Sequence, residues 1–183
     1  MINECLQLFD DLSCLVSNEG NITANSVLEI LKKYSSTITV FDMMGFSSHV
    51  IEENKYVHES YRKDSEKSYI ESFLLRVNAI KTDTSNYSKE IDKKSFIEEN
   101  EILKSNYENE AQNSEIKNLL IFYIASTYAT FILEEPIHLT GTPFPGSLKI
   151  EEENGIFYCP VKDANLESPN AVCKMCLAKQ LDF

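Results

Sequence analysis

The first 135 residues of this 183-residue chain contain no proline, and all five prolines, at 136, 143, 145, 160 and 169, lie beyond them. A proline inside a helix removes a backbone hydrogen bond and clashes with the preceding turn, so a proline-free stretch of this length can run as successive long helices. Three of the five glycines, at 141, 146 and 155, also fall in the tail, where turns and irregular connections are expected. The chain therefore divides into a helical bundle over residues 1–135 and a C-terminal Cys-rich, metal-binding subdomain over residues 136–183, packed on the bundle. The fold class expected is mostly α (α+β): a helical bundle with a small C-terminal β-hairpin and a short helix held by a metal.

Hydrophobic spacing places the helices. Ile2, Cys5, Phe9, Leu12 and Val16 recur three and four residues apart and stop at Gly20, an amphipathic stripe that makes Cys5 a core residue. A second helix is expected from about Thr23, with Val27, Ile30, Leu31 and Tyr34 inward, and a third from about Phe41, with Gly45 as a weak point. Tyr69, Phe73, Leu74, Val77 and Ile80 mark another, ended by the polar run Thr82 to Asn86. The charged stretch from Tyr87 to Asn113 reads as a solvated helix rather than a mobile excursion. Leu119 to Leu133 is strongly apolar but fifteen residues long and interrupted by Ser126, Thr127 and Thr130. A membrane span needs roughly 20 apolar residues, so this is read as the buried central helix. His49, His58 and the acid clusters, Glu98-Glu99 among them, are read as surface.

A net charge of −12 without a basic run argues against nucleic acid as a partner, because phosphate contacts need clustered Lys and Arg. The N-terminus has no basic n-region and meets acids by Asp10, which argues against a secretory leader and for the cytoplasm. In a reducing cytosol the five cysteines are expected as thiols or metal ligands rather than disulfides.

Three of them, Cys159, Cys173 and Cys176, crowd into the last 25 residues. Lys149 to Cys159 is two short runs joined by Asn154-Gly155, the strongest short hairpin signal, which puts Cys159 at a strand end. Ser168-Pro169 then resembles a helix start, so Asn170 to Gln180 is expected as one short helix carrying Cys173 and Cys176 on one face. Thiolates from a strand end and a helical face can converge on one ion at about 2.3 Å. Zinc is the first expectation, and a four-iron four-sulfur cluster with one open iron is the alternative. Three thiolates leave a tetrahedral ion one ligand short. His138 is the nearest imidazole in the proline-rich tail; otherwise it closes the central helix, whose C-terminus favours an imidazolium. Asp163 can supply an oxygen or simply form a turn. Lys162 and Asp163, beside the metal ligand, are the weak candidates for a catalytic site. The function expected is that of an accessory or binding protein with a structural zinc, and a protein partner, rather than an enzyme. The alternative is a metalloenzyme or iron–sulfur protein using an open position.

His138-Leu-Thr-Gly-Thr-Pro-Phe-Pro-Gly146, Tyr158-Cys-Pro-Val-Lys-Asp163 and Cys173-Lys-Met-Cys-Leu-Ala-Lys-Gln180 together resemble an uncharacterised protein family of methanogenic archaea. That family carries H-x-x-G-T-P-F-P-G, Y-C-P-V-K-D and C-x-x-C-x-A-x-Q segments. The resemblance implies an archaeal cytosol and a shape for the tail, and no activity. Ala164-Asn165 stand where the family's Lys-Gln is expected.

Overall fold

The computed structural model describes residues 3–17, 20–111, 115–168 and 171–182. The proline-free part forms α1 (Glu4–Ser17), α2 (Ala24–Ser35), α3 (Val40–Glu53), α4 (Glu59–Thr82), α5 (Lys93–Glu110) and α6 (Ile116–Thr127), the last running straight into a π-helical stretch, Tyr128–Leu133. α1, α2, α3 and α4 all pack on α6, and α5 lies outside them against α1. A helix apolar on every face must be buried on every face. Leu120, Ile121, Tyr123, Ile124, Ala125 and Ala129 accordingly have no exposed surface. The continuous helix from Ile116 to Leu133 is 18 residues long, enough by length and composition to cross a membrane, but 78% of it is buried in the fold, as in the core helix of a soluble protein. It ends at Glu134, in the left-handed conformation (φ 55°), two residues before Pro136.

The helical stripes face as their spacing predicts. Cys5, Phe9 and Leu12 of α1 are buried, joined by Leu8; Ile2 lies outside the described residues. Thr23 caps α2 through a reciprocal pair of bonds with Ser26, and Thr39 caps α3 in the same way with Asp42. α3 runs through Gly45 unbroken: burial of Phe46 and Val50 outweighs the penalty of about 1 kcal/mol for an interior glycine. The stretch expected as a solvated helix is α5, held down by Phe96 and Leu103.

Two surface expectations are corrected. His49 is half-buried and lines a cavity, because α3 turns that face toward α4 and α6. Glu99 turns one carboxylate oxygen inward with no hydrogen-bond partner, and burial, then the charge of Glu98, pushes its pKa from 4.5 up to about 8. Between those two values the folded chain holds a proton that the unfolded chain has released, so stability falls as pH rises through that window, at roughly 1.4 kcal/mol per pH unit at most. Glu99→Gln is expected to flatten the dependence of the urea midpoint between pH 5 and 8, and to raise stability by about 1–3 kcal/mol at the upper end. An unchanged pH slope in the variant would contradict this placement.

The tail forms two small sheets. β1 (Pro143–Phe144) pairs with β2 (Leu148–Lys149), and β3 (Glu151–Glu153) pairs antiparallel with β4 (Ile156–Cys159). Asn154 and Gly155, at φ 53° and 77°, make the expected two-residue turn, in which both central residues are left-handed. After the short α7 (Lys162–Leu166), β5 (Lys179–Gln180) returns parallel to β4. The helix expected over Asn170 to Gln180 is therefore absent. Val172–Lys174 is a single 3-10 turn, and Pro169 and Asn170 lie outside the described residues. Pairing with β4, and burial of Met175 and Ala178, take up the backbone and side chains that a helix would have arranged otherwise.

The tail docks on α4 through polar groups. Arg76, 3% exposed, donates from its guanidinium to the carbonyls of Pro136 (2.6 Å) and Ile137 and lies 3.5 Å from Glu135. Ser72 Oγ accepts the Leu139 N–H at 3.1 Å. Ile137, Val172 and Met175 then join the core of the helices.

Candidate metal centre

Cys159 ends β4 and is 7% exposed. The chain turns at once through Pro160, and the amides of Val161 and Lys162 lie near enough to its sulfur to oppose the rise in pKa that burial causes. Cys173 sits on the 3-10 turn, where Met175 and Cys176 both donate to the Val172 carbonyl, at 3.0 and 3.2 Å. Cys176 lies just past that turn, near enough for its charge to raise the pKa of Cys173 although the expected helix is missing. The β4–β5 register sets Cys159 against Gln180, and the Leu181 N–H bonds the Cys159 carbonyl at 3.0 Å. Chain closure thereby carries Cys176 back to Cys159, and the two pack together with Ile150 and Ala178.

The three sulfurs are close enough to feel one another's charge. Burial, followed by Cys176 and Cys159, pushes the Cys173 thiol up to about 11; burial also raises Cys159, against the opposing pull of the amides and Lys162. Redox-active cysteines are exposed and have lowered pKa values, so Cys159 and Cys173, both raised, do not fit that pattern. Among the described residues, no three His, Cys, Asp or Glu side chains are already drawn into a metal-holding group.

Two cations border them. Lys162 donates to the carbonyls of Cys176 (2.7 Å) and Ala178, and the Arg76 guanidinium is near enough for Cys176 to raise its pKa, against a larger lowering by burial. Asp163 is exposed on α7, and its amide donates to Gln180 Oε1 at 2.9 Å.

His138 is placed by rings: Tyr69 at 5.2 Å, Phe73 at 6.0 Å and Phe144 at 6.3 Å between centroids. Burial, then Arg76, lowers its pKa to about 4, so the imidazolium expected at the helix end is replaced by a neutral ring with a lone pair to offer. Burial raises the pKa of Tyr69, with Glu110 and Cys173 adding smaller electrostatic contributions.

Sequence reasoning passed over Gln180 and Arg76. Gln180 donates to the carbonyls of Pro160 (3.1 Å) and Leu181 (2.8 Å) while accepting from Asp163, which fixes the turn after Cys159. Arg76 lies on the inward stripe of α4 with Phe73, Val77 and Ile80, a position where a cation signals a buried polar task.

The model of a family described as uncharacterized proteins conserved in archaea (DUF2115) matches residues 23–181. The chain belongs to this family. Among its relatives, one UPF0305 protein of Methanothermobacter thermautotrophicus is 31% identical over 164 residues, which cover 87% of this chain and 97% of the relative. A second from the same organism is 28% identical over 157 residues, 86% and 96% of the two chains. The UPF0305 protein of Methanocaldococcus jannaschii is 25% identical over 163 residues, 87% of this chain and 97% of the relative. No solved structure matches the chain. Family membership agrees with the resemblance read from the three tail segments, and the match extends through the helices from α2 onward.

Proposed function

We propose that this member of the family is a cytoplasmic accessory protein whose tail is pinned to the helical bundle by a zinc ion held by Cys159, Cys173 and Cys176, with His138 as the fourth ligand. The observation that carries the reading is the return of β5 alongside β4, which packs Cys176 from beyond α7 against the Cys159 cluster, with Cys173 within range of the charge of both. Zinc with three thiolates and a neutral imidazole carries one net negative charge, and Lys162 and Arg76 border the thiols. Close packing of Cys159 with Ile150 and Ala178 favours a single ion over a four-iron cluster. An accessory role fits better than catalysis, because the Lys162 ammonium is engaged by two carbonyls and Asp163 faces solvent.

Purified under reducing conditions, the full-length protein is expected to carry about one zinc per chain, and Cys173→Ser or Cys176→Ser to lose most of it, since each removes a thiolate from a set of three. Elemental analysis that finds folded, metal-free wild-type protein would refute the reading. A brown, iron-containing sample would replace zinc with the cluster.

A further inference from the structure

One face of α3 is apolar and uncovered. Val40, Phe41, Met44 and Ile51 are 69, 82, 61 and 51% exposed. With the exposed Ser48 they recur at helical spacing along one side, a single stripe about three turns long. The opposite side carries Phe46 and Val50, buried where α3 packs on α4 and α6. Exposed hydrophobic residues scattered singly are ordinary, whereas a contiguous apolar patch marks an interaction surface.

The stripe matches itself when turned end over end. Phe41 and Ile51 are equally far from Phe46 along the helix, and so are Met44 and Ser48. An antiparallel copy of α3 therefore sets Phe41 against the second copy's Ile51, and the long Met44 over the second copy's small Ser48, with Gly45 alongside to let the helices approach. The ends are complementary as well. Lys81 and Lys117 donate to the carbonyls of Ile38 (2.7 Å) and Thr37 (3.1 Å) just ahead of α3, at the positive end of its dipole. Glu52 and Glu53 are exposed in its last turn, so antiparallel pairing brings each acidic end to the other copy's cationic end. A net charge of −12 works against an anionic membrane as the occupant. Two such faces together bury about 1,000 Å², the least that a specific interface needs. We infer that α3 is the contact of a weak symmetric dimer of this chain, two copies packed antiparallel through Val40, Phe41, Met44, Ser48 and Ile51. The dimer is independent of the proposed zinc.

The test is sedimentation equilibrium of the full-length protein across a concentration series. The mean mass should rise from the 20.9 kDa of one chain to twice that, with half-association at about 10–100 µM. Phe41→Asp should raise that midpoint at least about tenfold, because it places a carboxylate between the two helices. A carboxylate in the first turn also favours the helix itself, so the monomer should keep its circular dichroism. Met44→Asp should give the same loss from nearer the centre of the stripe. Glu52→Lys lowers the net negative charge and would tighten an unspecific pair, but it should weaken the antiparallel one about threefold. A chain that stays monomeric to about 500 µM, a dimer that Phe41→Asp and Met44→Asp leave intact or Glu52→Lys tightens, or a monomer that instead binds phosphatidylcholine vesicles through this face would overturn the proposal.

Discussion

Arg76→Met is expected to cost about 3 kcal/mol of folding stability, because it strands the buried carbonyls of Pro136 and Ile137 that the guanidinium now satisfies. The loss should appear first in the tail, since this contact holds the start of the tail against α4. Arg76→Lys should rescue little: one ammonium on a flexible stem cannot reproduce a planar fork directed at two carbonyls. Ser72→Ala, which removes the acceptor for the Leu139 N–H and the hydroxyl's own bond to the Ser68 carbonyl, should cost about 1 kcal/mol. Urea unfolding read by circular dichroism, alongside amide exchange across residues 136–182, measures both effects. Full stability in Arg76→Met would show that the tail is docked by its apolar contacts alone.

Removal of metal with a strong chelator should leave most of the helical circular dichroism intact while the chain after Cys159 becomes protease-labile and exchanges its amides at least about 100-fold faster. The asymmetry follows from where the contacts lie. The core around α6 is built from residues such as Leu120, Tyr123 and Ile124, which are fully buried, and Pro136 to Leu139 remain clamped by Arg76 and Ser72. β5, by contrast, is two residues long, and Val172, Met175 and Ala178 are its few buried apolar neighbours, too little to hold a strand whose partner thiols lack an ion. An equally protected C-terminal segment after verified metal removal would mean that the ion is not structural.

Where a signal is local, the sequence carries it. Cys5, Phe9 and Leu12 mark the inward face of α1 by spacing alone, and Asn154-Gly155 specifies its turn because both residues must adopt positive φ. Cys159 at the end of a strand follows from that turn. The segment after Ser168 misleads for the opposite reason: what fixes Lys179 and Gln180 is a partner strand, Tyr158 and Cys159, and no nearby residue announces a parallel pairing. Glu99 and His49 look like surface residues in the sequence because neighbouring acids and solvent-facing residues dominate their surroundings. Their burial depends on α1, α4 and α6, which pack from elsewhere in the chain. Arg76 was legible in principle, since its spacing from Phe73, Val77 and Ile80 sets a charge on an apolar stripe.

X-ray absorption at the zinc edge of full-length protein purified anaerobically reads the ligands of the proposed ion directly. The expected spectrum is that of a four-coordinate ion with three sulfurs at about 2.3 Å and one nitrogen near 2.0–2.1 Å, with the loss of one sulfur contribution in Cys176→Ser. A shell of nitrogen and oxygen alone, or one unchanged by substitution of any of the three cysteines, would contradict it.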